Sequence, residues 1–241
     1  MILTTATIKG GTGKTTTAAA LAQAAAHEGK RVLCIDLDPQ GNLTFILGAD
    51  GTRPGAFSLL AGEAPGNTIQ ATGQAVDVIA ASPDLATVRT SQGSARRLGK
   101  ALLPILGNYD HVFIDTPPQM GELTYNSLWA ADRLIIPLEA DIASLQGFYQ
   151  ILDIAEQIKK GHPLQVSGII VTRYDGRPKI NRHLLGEIQK AGKTAGAPFL
   201  GSIRAGVSIR EAQALQVSLY DYAPKSKPAL DYLELYRKLE G

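Results

Sequence analysis

Ile8-Lys9-Gly10-Gly11-Thr12-Gly13-Lys14-Thr15-Thr16-Thr17 is the stretch whose reading decides the fold. An apolar, strand-like run at residues 2–8 leads into it, and an Ala-rich helical stretch at 16–26 follows. Strand, Gly-rich loop and helix together turn a short P-loop pattern into a phosphate site. Gly10, Gly11 and Gly13 lack a Cβ, so the backbone is free to curl with its N–H groups pointing inward. The N-terminus of the following helix adds unsatisfied N–H groups and a partial positive charge. Lys14 is placed to reach the terminal phosphates of a nucleotide, and the Thr15 hydroxyl to ligate Mg²⁺.

Outward from that loop, the rest of the chain repeats the same alternation. Apolar, β-rich runs fall at 2–8, 31–35, 76–80, 111–114, 133–137, 166–171 and 198–203. Helical patterns fall between most of them, at 15–28, 87–106, 122–131, 144–159, 179–195 and 208–215, and a last helix spans 227–239. Short buried strands alternating with helices imply βαβ units and a mostly parallel, twisted sheet covered by helices on both faces. The fold class is therefore α/β of the P-loop NTPase type. One domain over residues 1–241 is expected, because no linker, low-complexity tract or internal repeat interrupts the pattern. Ligands of such sheets lie at the carboxyl ends of the strands, where the first motif falls.

A content of 44% hydrophobic and 19% charged residues is ordinary for a soluble globular protein. No apolar run approaches a membrane span, and the N-terminal segment does not read as a signal peptide, since the P-loop begins at once. The one cysteine, Cys34, sits in the run at 31–35 and reads as a buried strand residue in a reducing compartment. The net charge of +2 is uneven. Residues 161–241 hold twelve Lys/Arg against seven Asp/Glu, leaving twelve against fifteen in residues 1–160, so the halves carry +5 and −3. A basic C-terminal third hints at an anionic partner; plain solvated helices also show such an excess.

Two further strand ends carry acids. The second runs into Asp36-Leu37-Asp38-Pro39-Gln40-Gly41-Asn42, paired acids followed by turn residues. Asp38 there is placed to order an attacking water or to hold a Mg²⁺-bound water. The fourth ends in His111-Val112-Phe113-Ile114-Asp115-Thr116-Pro117-Pro118. That is the Walker B arrangement, in which a buried strand delivers one carboxylate, Asp115, towards Mg²⁺ and its waters. The two prolines fix the following backbone and remove N–H donors.

Lys9 opens the glycine loop with a second lysine, and Lys-Gly-Gly-Thr-Gly-Lys-Thr-Thr resembles the deviant Walker A motif of the ParA/MinD family of P-loop ATPases. The segment 36–42 resembles that family's switch I, and Asp115-Thr116-Pro117-Pro118 its switch II. Ile136-Pro137-Leu138-Glu139-Ala140-Asp141 resembles the segment that faces the partner across the nucleotide, although the family usually has Glu where Asp141 stands. Val171-Thr172-Arg173-Tyr174-Asp175 resembles the strand end lining the adenine pocket. Arg173 either lies over the base face or is a surface arginine. The resemblance covers residue 1 to about 236 and is strongest to short ParA-type proteins that lack a helix-turn-helix domain.

The resemblance implies ATP and Mg²⁺ as cofactors and slow hydrolysis of ATP to ADP and phosphate. Lys9, Lys14 and Asp38 are the implied catalytic residues, and Thr15, Asp38 and Asp115 the metal site. Lys9, Gly10, Gly11, Thr12, Gly13, Lys14, Thr15, Thr16, Thr172, Arg173 and Arg204 are the implied nucleotide contacts. ATP binding is expected to drive a two-fold homodimer in which Lys9 crosses to the partner's nucleotide. That dimer binds DNA without sequence preference. A ParB-like or cargo adaptor protein with a basic N-terminal peptide stimulates hydrolysis. The expected location is the cytoplasm, on the nucleoid, in the positioning of plasmids, chromosomes or other cargo. Relatives carry a Pro-Arg and then another Arg after the strand at 198–203; here the loop reads Arg204-Ala205-Gly206-Val207-Ser208-Ile209-Arg210. Near the end Lys225-Ser226-Lys227 stands where the family has arginines. Arg204, Arg210, Lys225 and Lys227 are thus the candidate DNA face, in altered form, and lysines still contact phosphate as point charges.

Four other functions are weighed. A MinD-like membrane-surface ATPase is the main alternative, but Arg237 and Lys238 are offset by Glu234 and Glu240, and the Leu and Tyr positions of the tail read as packing on the sheet. Stable membrane insertion is not expected. Electron transfer of the nitrogenase iron-protein kind needs two cysteines per subunit, which Cys34 alone excludes. A bacterial tyrosine kinase, suggested by Tyr220, Tyr222, Tyr232 and Tyr236, has a longer tyrosine cluster and no lysine like Lys9. A biosynthetic ligase such as dethiobiotin synthetase does not account for Asp38-Pro39-Gln40.

Overall fold

Successive residues of a strand point to opposite faces of a sheet, and here both sets are apolar. Leu33 and Ile35, Val112 and Ile114, and Leu134 and Ile136 pack on one face, while Cys34, Phe113 and Ile135 between them pack on the other. A sheet apolar on both sides needs helices on both sides. The computed structural model, which describes residues 1–89 and 93–241, has that architecture. Its strands are β1 (Ile2–Thr5), β2 (Val32–Asp36), β3 (Ile69–Ala71), β4 (Asp77–Ile79), β5 (His111–Asp115), β6 (Arg133–Leu138), β7 (Gln165–Tyr174) and β8 (Phe199–Arg204). They form one eight-stranded sheet in the order β3-β4-β2-β5-β1-β6-β7-β8. Every neighbouring pair is parallel except β3 with β4.

The helices are α1 (Lys14–His27), α2 (Asn42–Ile46), α3 (Ala56–Leu60), α4 (Arg97–Leu102), α5 (Glu122–Ala130), α6 (Ile142–Lys159), α7 (Lys179–Thr194), α8 (Val207–Ala214), α9 (Leu219–Tyr222) and α10 (Lys227–Glu240). Leu98, Leu128, Phe148 and Ile151 cover one face of the sheet, and Leu21, Tyr232, Leu235 and Tyr236 cover the other. The run of alanines in α1 is buried on every side, with Ala18 to Ala25 almost wholly enclosed. Small side chains let this helix lie close between the sheet and α10. In α10, Tyr232, Leu235, Tyr236 and Leu239 are buried, as the spacing of the tail residues implies, and each buried large side chain contributes about 1.5–3 kcal/mol.

The structure alters the sequence reading in three places. The first strand stops at Thr5 rather than residue 8, so the phosphate loop begins earlier. The helix expected over 87–106 is not continuous. Its described part holds a 3₁₀ turn at Ser94–Arg96 followed by α4, with the 3₁₀ turns Pro83–Thr87 and Leu106–Asn108 reaching its two ends, and residues 90–92 of that expectation lie outside the described residues. Gly93 takes a left-handed φ of 76° before the turn. Pro104 beyond it cannot continue a helical ladder. The antiparallel edge strand β3 and the short helices α2, α3 and α9 were not expected, being too short to leave a periodic signal.

Candidate functional site

The carboxyl ends of β1, β2, β5, β6, β7 and β8 converge on one edge of the sheet, and the loops that leave them build the site. In the first of these loops Gly11 and Gly13 take φ of 77° and 86°, which L side chains rarely adopt. A Cβ on Gly13 would also press on Thr172 at 3.3 Å. Gly10 is different: its φ is not left-handed, and a Cβ there would meet only Pro118 at an ordinary 3.9 Å. The curl of the loop therefore requires two of the three glycines. Gly13 also precedes α1 without a side-chain cap, and no acid stands in the first turn. The helix N-terminus is left open to an anion.

Lys14 is buried, and its ammonium donates to the Lys9 carbonyl at 3.3 Å. Burial lowers its pKa from the ordinary lysine value, with the charges of Asp115 and Asp38 opposing. Asp115, at the end of β5, is fully enclosed, and neither carboxylate oxygen has a hydrogen-bond partner among the described residues. Burial and the nearby Asp36 push its pKa well up, against the Thr15 hydroxyl and the Lys14 charge. A buried carboxylate with both oxygens unpartnered is costly unless a cation or its water completes it. Together with the Thr15 hydroxyl and Asp38 this is a hard, oxygen-only donor set that fits Mg²⁺.

Asp36 was visible in the sequence only as the first of a pair of acids, yet it organises the second loop. Its Oδ1 accepts from the Asp38 N–H at 3.0 Å, and its Oδ2 accepts from the Thr44 N–H and hydroxyl, both at 2.8 Å. Burial pushes its pKa up to about 6, against those hydrogen bonds. Asp38 in turn accepts the Gln40 N–H at 3.0 Å and lines the main cavity.

Lys9 is not among the residues that line that cavity. Its ammonium pairs with Asp141 and, at 3.4 Å, with Glu139. Burial lowers the Lys9 pKa, but these two carboxylates outweigh it and hold the value above the ordinary one. Asp141 has a second task, accepting the Ser144 N–H at 2.7 Å as the N-cap of α6. A short Asp is a better cap than Glu, which gives a local reason for Asp at this position. Arg173 has a left-handed φ of 51°, and its guanidinium meets the Gly11 carbonyl and Glu139. It belongs to the loop network and also borders the cavity.

That cavity measures about 1030 Å³ and runs from Lys14, Thr15 and Thr16 to the loop after β8. Asp38 is the one carboxylate lining it among the described residues. Thr12 is buried and does not line it. Thr172 borders it, but its hydroxyl faces the Thr12 carbonyl at 2.7 Å and the Leu138 carbonyl at 3.2 Å, so it buckles the phosphate loop to the sheet. The four residues expected to share one basic face are all exposed, and the Arg204 guanidinium reaches the Lys227 carbonyl at 3.5 Å. Lys225 and Lys227 stand exposed at the start of α10, with no ion pair among the described residues. Arg204 and Arg210 line the cavity, and Arg204 is paired with Asp231 at 2.6 Å. Sequence reasoning missed Asp231, Tyr232 and Gln213 as neighbours of the cavity, because helical residues far along the chain give no local sign of which strand end they meet.

A left-handed glycine loop closing on a helix terminus, opposite two strand-end carboxylates, defines a P-loop nucleotide-binding protein. The pattern of the AAA domain family matches residues 1–166. The chromosome-partitioning ATPase Soj of Thermus thermophilus is 37% identical over 231 residues, spanning 94% of this chain and 90% of that protein. The chain therefore belongs to this family of P-loop ATPases, among its ParA/MinD-type members. Two solved structures superpose over nearly its whole length. One is a Cyanothece McdA variant in complex with ATP, with TM-score 0.86 and 26% identity over 97% of this chain and 95% of that one. The other is cobyrinic acid a,c-diamide synthase from Mycobacterium smegmatis with an ATP analogue and magnesium, with TM-score 0.85 and 31% identity over 99% and 93%.

Proposed function

We propose that this protein is a ParA-type positioning ATPase of the cytoplasm that binds ATP with Mg²⁺, dimerises in that state and then holds DNA without regard to sequence. The observation that carries the reading is Lys9. It sits at the mouth of the phosphate loop, yet its ammonium faces Asp141 and Glu139 outside its own cavity. A lysine in that place is available to a second subunit's nucleotide rather than its own.

The chain's own groups divide the remaining work. Lys14 and the N–H groups of the loop and of α1 hold the β- and γ-phosphates. Asp38, fixed by its turn and by Asp36, orients the attacking water. Thr15 would hold Mg²⁺, with Asp38 and Asp115 completing its site, and the ion would neutralise charge on the phosphates. Hydrolysis is slow in the isolated protein, and an adaptor with a basic N-terminal peptide stimulates it. Lys225 and Lys227 contact DNA phosphates, and the dimer doubles them, turning weak contacts into avidity.

Against a membrane-surface role, α10 buries Tyr232, Leu235, Tyr236 and Leu239 against the body of the protein, and Leu230 is the one leucine of the helix that stands exposed. No helix among the described residues is long and apolar enough to cross a membrane. The test is retention on DNA of unrelated sequence, with ATP, ADP or no nucleotide. Binding should need ATP and weaken steeply with salt, because affinity comes from counterion release. Replacing Lys225 and Lys227 by Glu should abolish retention and leave ATP-dependent dimerisation intact. Salt-resistant or nucleotide-independent binding would refute the mechanism. Absence of DNA binding at low salt would favour a protein- or membrane-surface positioner.

A further inference from the structure

Four cations face or rim the cavity, and each is held differently. Lys14 is tied to the Lys9 carbonyl, and Arg173 to Gly11 and Glu139. Arg210 has no salt bridge among the described residues, and Arg204 is clamped by α10. The Arg204 Nε lies 2.9 and 3.1 Å from the two oxygens of Asp231, and its Nη2 lies 2.6 Å from Oδ1. The same carboxylate accepts the Arg204 backbone N–H at 2.8 Å. The Asp231 side chain is only 12% exposed, so the clamp is sheltered while the Arg204 side chain remains 46% exposed on the cavity wall. The next residue, Tyr232, lines the cavity too, and its hydroxyl meets that of Thr17 on α1 at 3.1 Å.

We propose that Asp231 is a positioning residue that holds Arg204 flat as the stacking wall for the base of the bound nucleotide, which makes α10 part of the nucleotide site. This rests on reading the cavity as the nucleotide site. A guanidinium gripped along one edge by a carboxylate keeps both faces free, and a planar guanidinium stacks on aromatic rings. The phosphate end is marked by Lys14 and Thr15, so the far end, beside Arg204 and Val207, is left for the base. Of the other two arginines that line the cavity, Arg173 is turned onto the phosphate loop, and Arg210 has no carboxylate to hold it flat among the described residues.

The test compares Asp231→Ala, Asp231→Glu, Arg204→Ala and the double alanine variant. It measures affinity for a fluorescent ATP analogue with Mg²⁺, displacement of that analogue by inorganic tripolyphosphate, and thermal stability. Asp231→Ala and Arg204→Ala should each weaken nucleotide binding about tenfold, the strength of one stacked cation. The double variant should be no weaker than either single one, and Asp231→Glu should recover part of the loss. Tripolyphosphate has no base, so its affinity should not change. Equal loss of analogue and tripolyphosphate binding, with lowered melting temperature, would reduce Asp231 to a structural residue. Unchanged analogue affinity in Arg204→Ala would overturn the proposal. Failure of the wild-type protein to bind either ligand would instead overturn the nucleotide reading, and this proposal with it.

Discussion

Replacing Asp36 with Asn should move the stability of the nucleotide-free protein, relative to wild type, increasingly in the variant's favour as pH rises from 4 to 7.5. The carboxyl is fully buried, and burial raises its pKa from the usual 3.8 to about 6. A carboxyl whose pKa is raised by folding favours the folded state in its protonated form. The group's contribution is therefore full below about 3.8 and is lost as pH rises through about 6. At about 1.4 kcal/mol per pH unit the loss is about 3 kcal/mol. Asn is neutral at every pH and escapes that loss, but its single oxygen cannot accept from both the Asp38 and the Thr44 N–H, so it carries a pH-independent cost of about 1–3 kcal/mol for the donor left over. Asp36→Ala behaves differently, because the Asp38 and Thr44 N–H groups lose their acceptor at any pH. Each buried orphan costs about 1–3 kcal/mol. Urea unfolding of the three proteins between pH 4 and 7.5, without Mg²⁺ or nucleotide, reads both effects. The free-energy difference between the Asn variant and wild type should move by about 3 kcal/mol in the variant's favour across this window. A difference that stays flat, or moves towards wild type, would show that Asp36 is ionised comfortably in the fold and that the burial argument is wrong.

The other predictions concern the proposed ATP cycle. Lys14→Ala should remove measurable ATP binding in calorimetry, and wild-type affinity in that variant would contradict the phosphate site. Asp38→Ala should keep ATP but lose turnover, leaving a long-lived dimer in sedimentation; hydrolysis at the normal rate would exclude Asp38 from ordering the water. Lys9→Ala should bind ATP yet fail to dimerise productively, whereas parental dimerisation and turnover would leave Lys9 as a strand-end charge paired with Asp141.

The sequence alone determined the class of fold and the phosphate loop. Both rest on signals a few residues long, read locally. Short apolar runs rich in β-branched residues and spaced by helical patterns read as strands buried on both faces, and a glycine-rich turn ending in Lys14 and Thr15 has few uses other than phosphate. The carboxylates Asp38 and Asp115 were legible for the same reason, Asp115 standing directly after such a run and Asp38 as the second of the two acids that follow one. Tertiary structure decided which strand ends meet. Asp231 lies 27 residues from Arg204, and Glu139 and Asp141 lie 130 and 132 residues from Lys9. Only the sheet order, with β1 between β5 and β6 and with β8 at the edge under α10, brings them together. The meeting of Arg204 with the Lys227 carbonyl, 23 residues away, follows from the same geometry. A residue's charge is written in the chain, but the partner that neutralises or frees it is set by packing between elements distant along it.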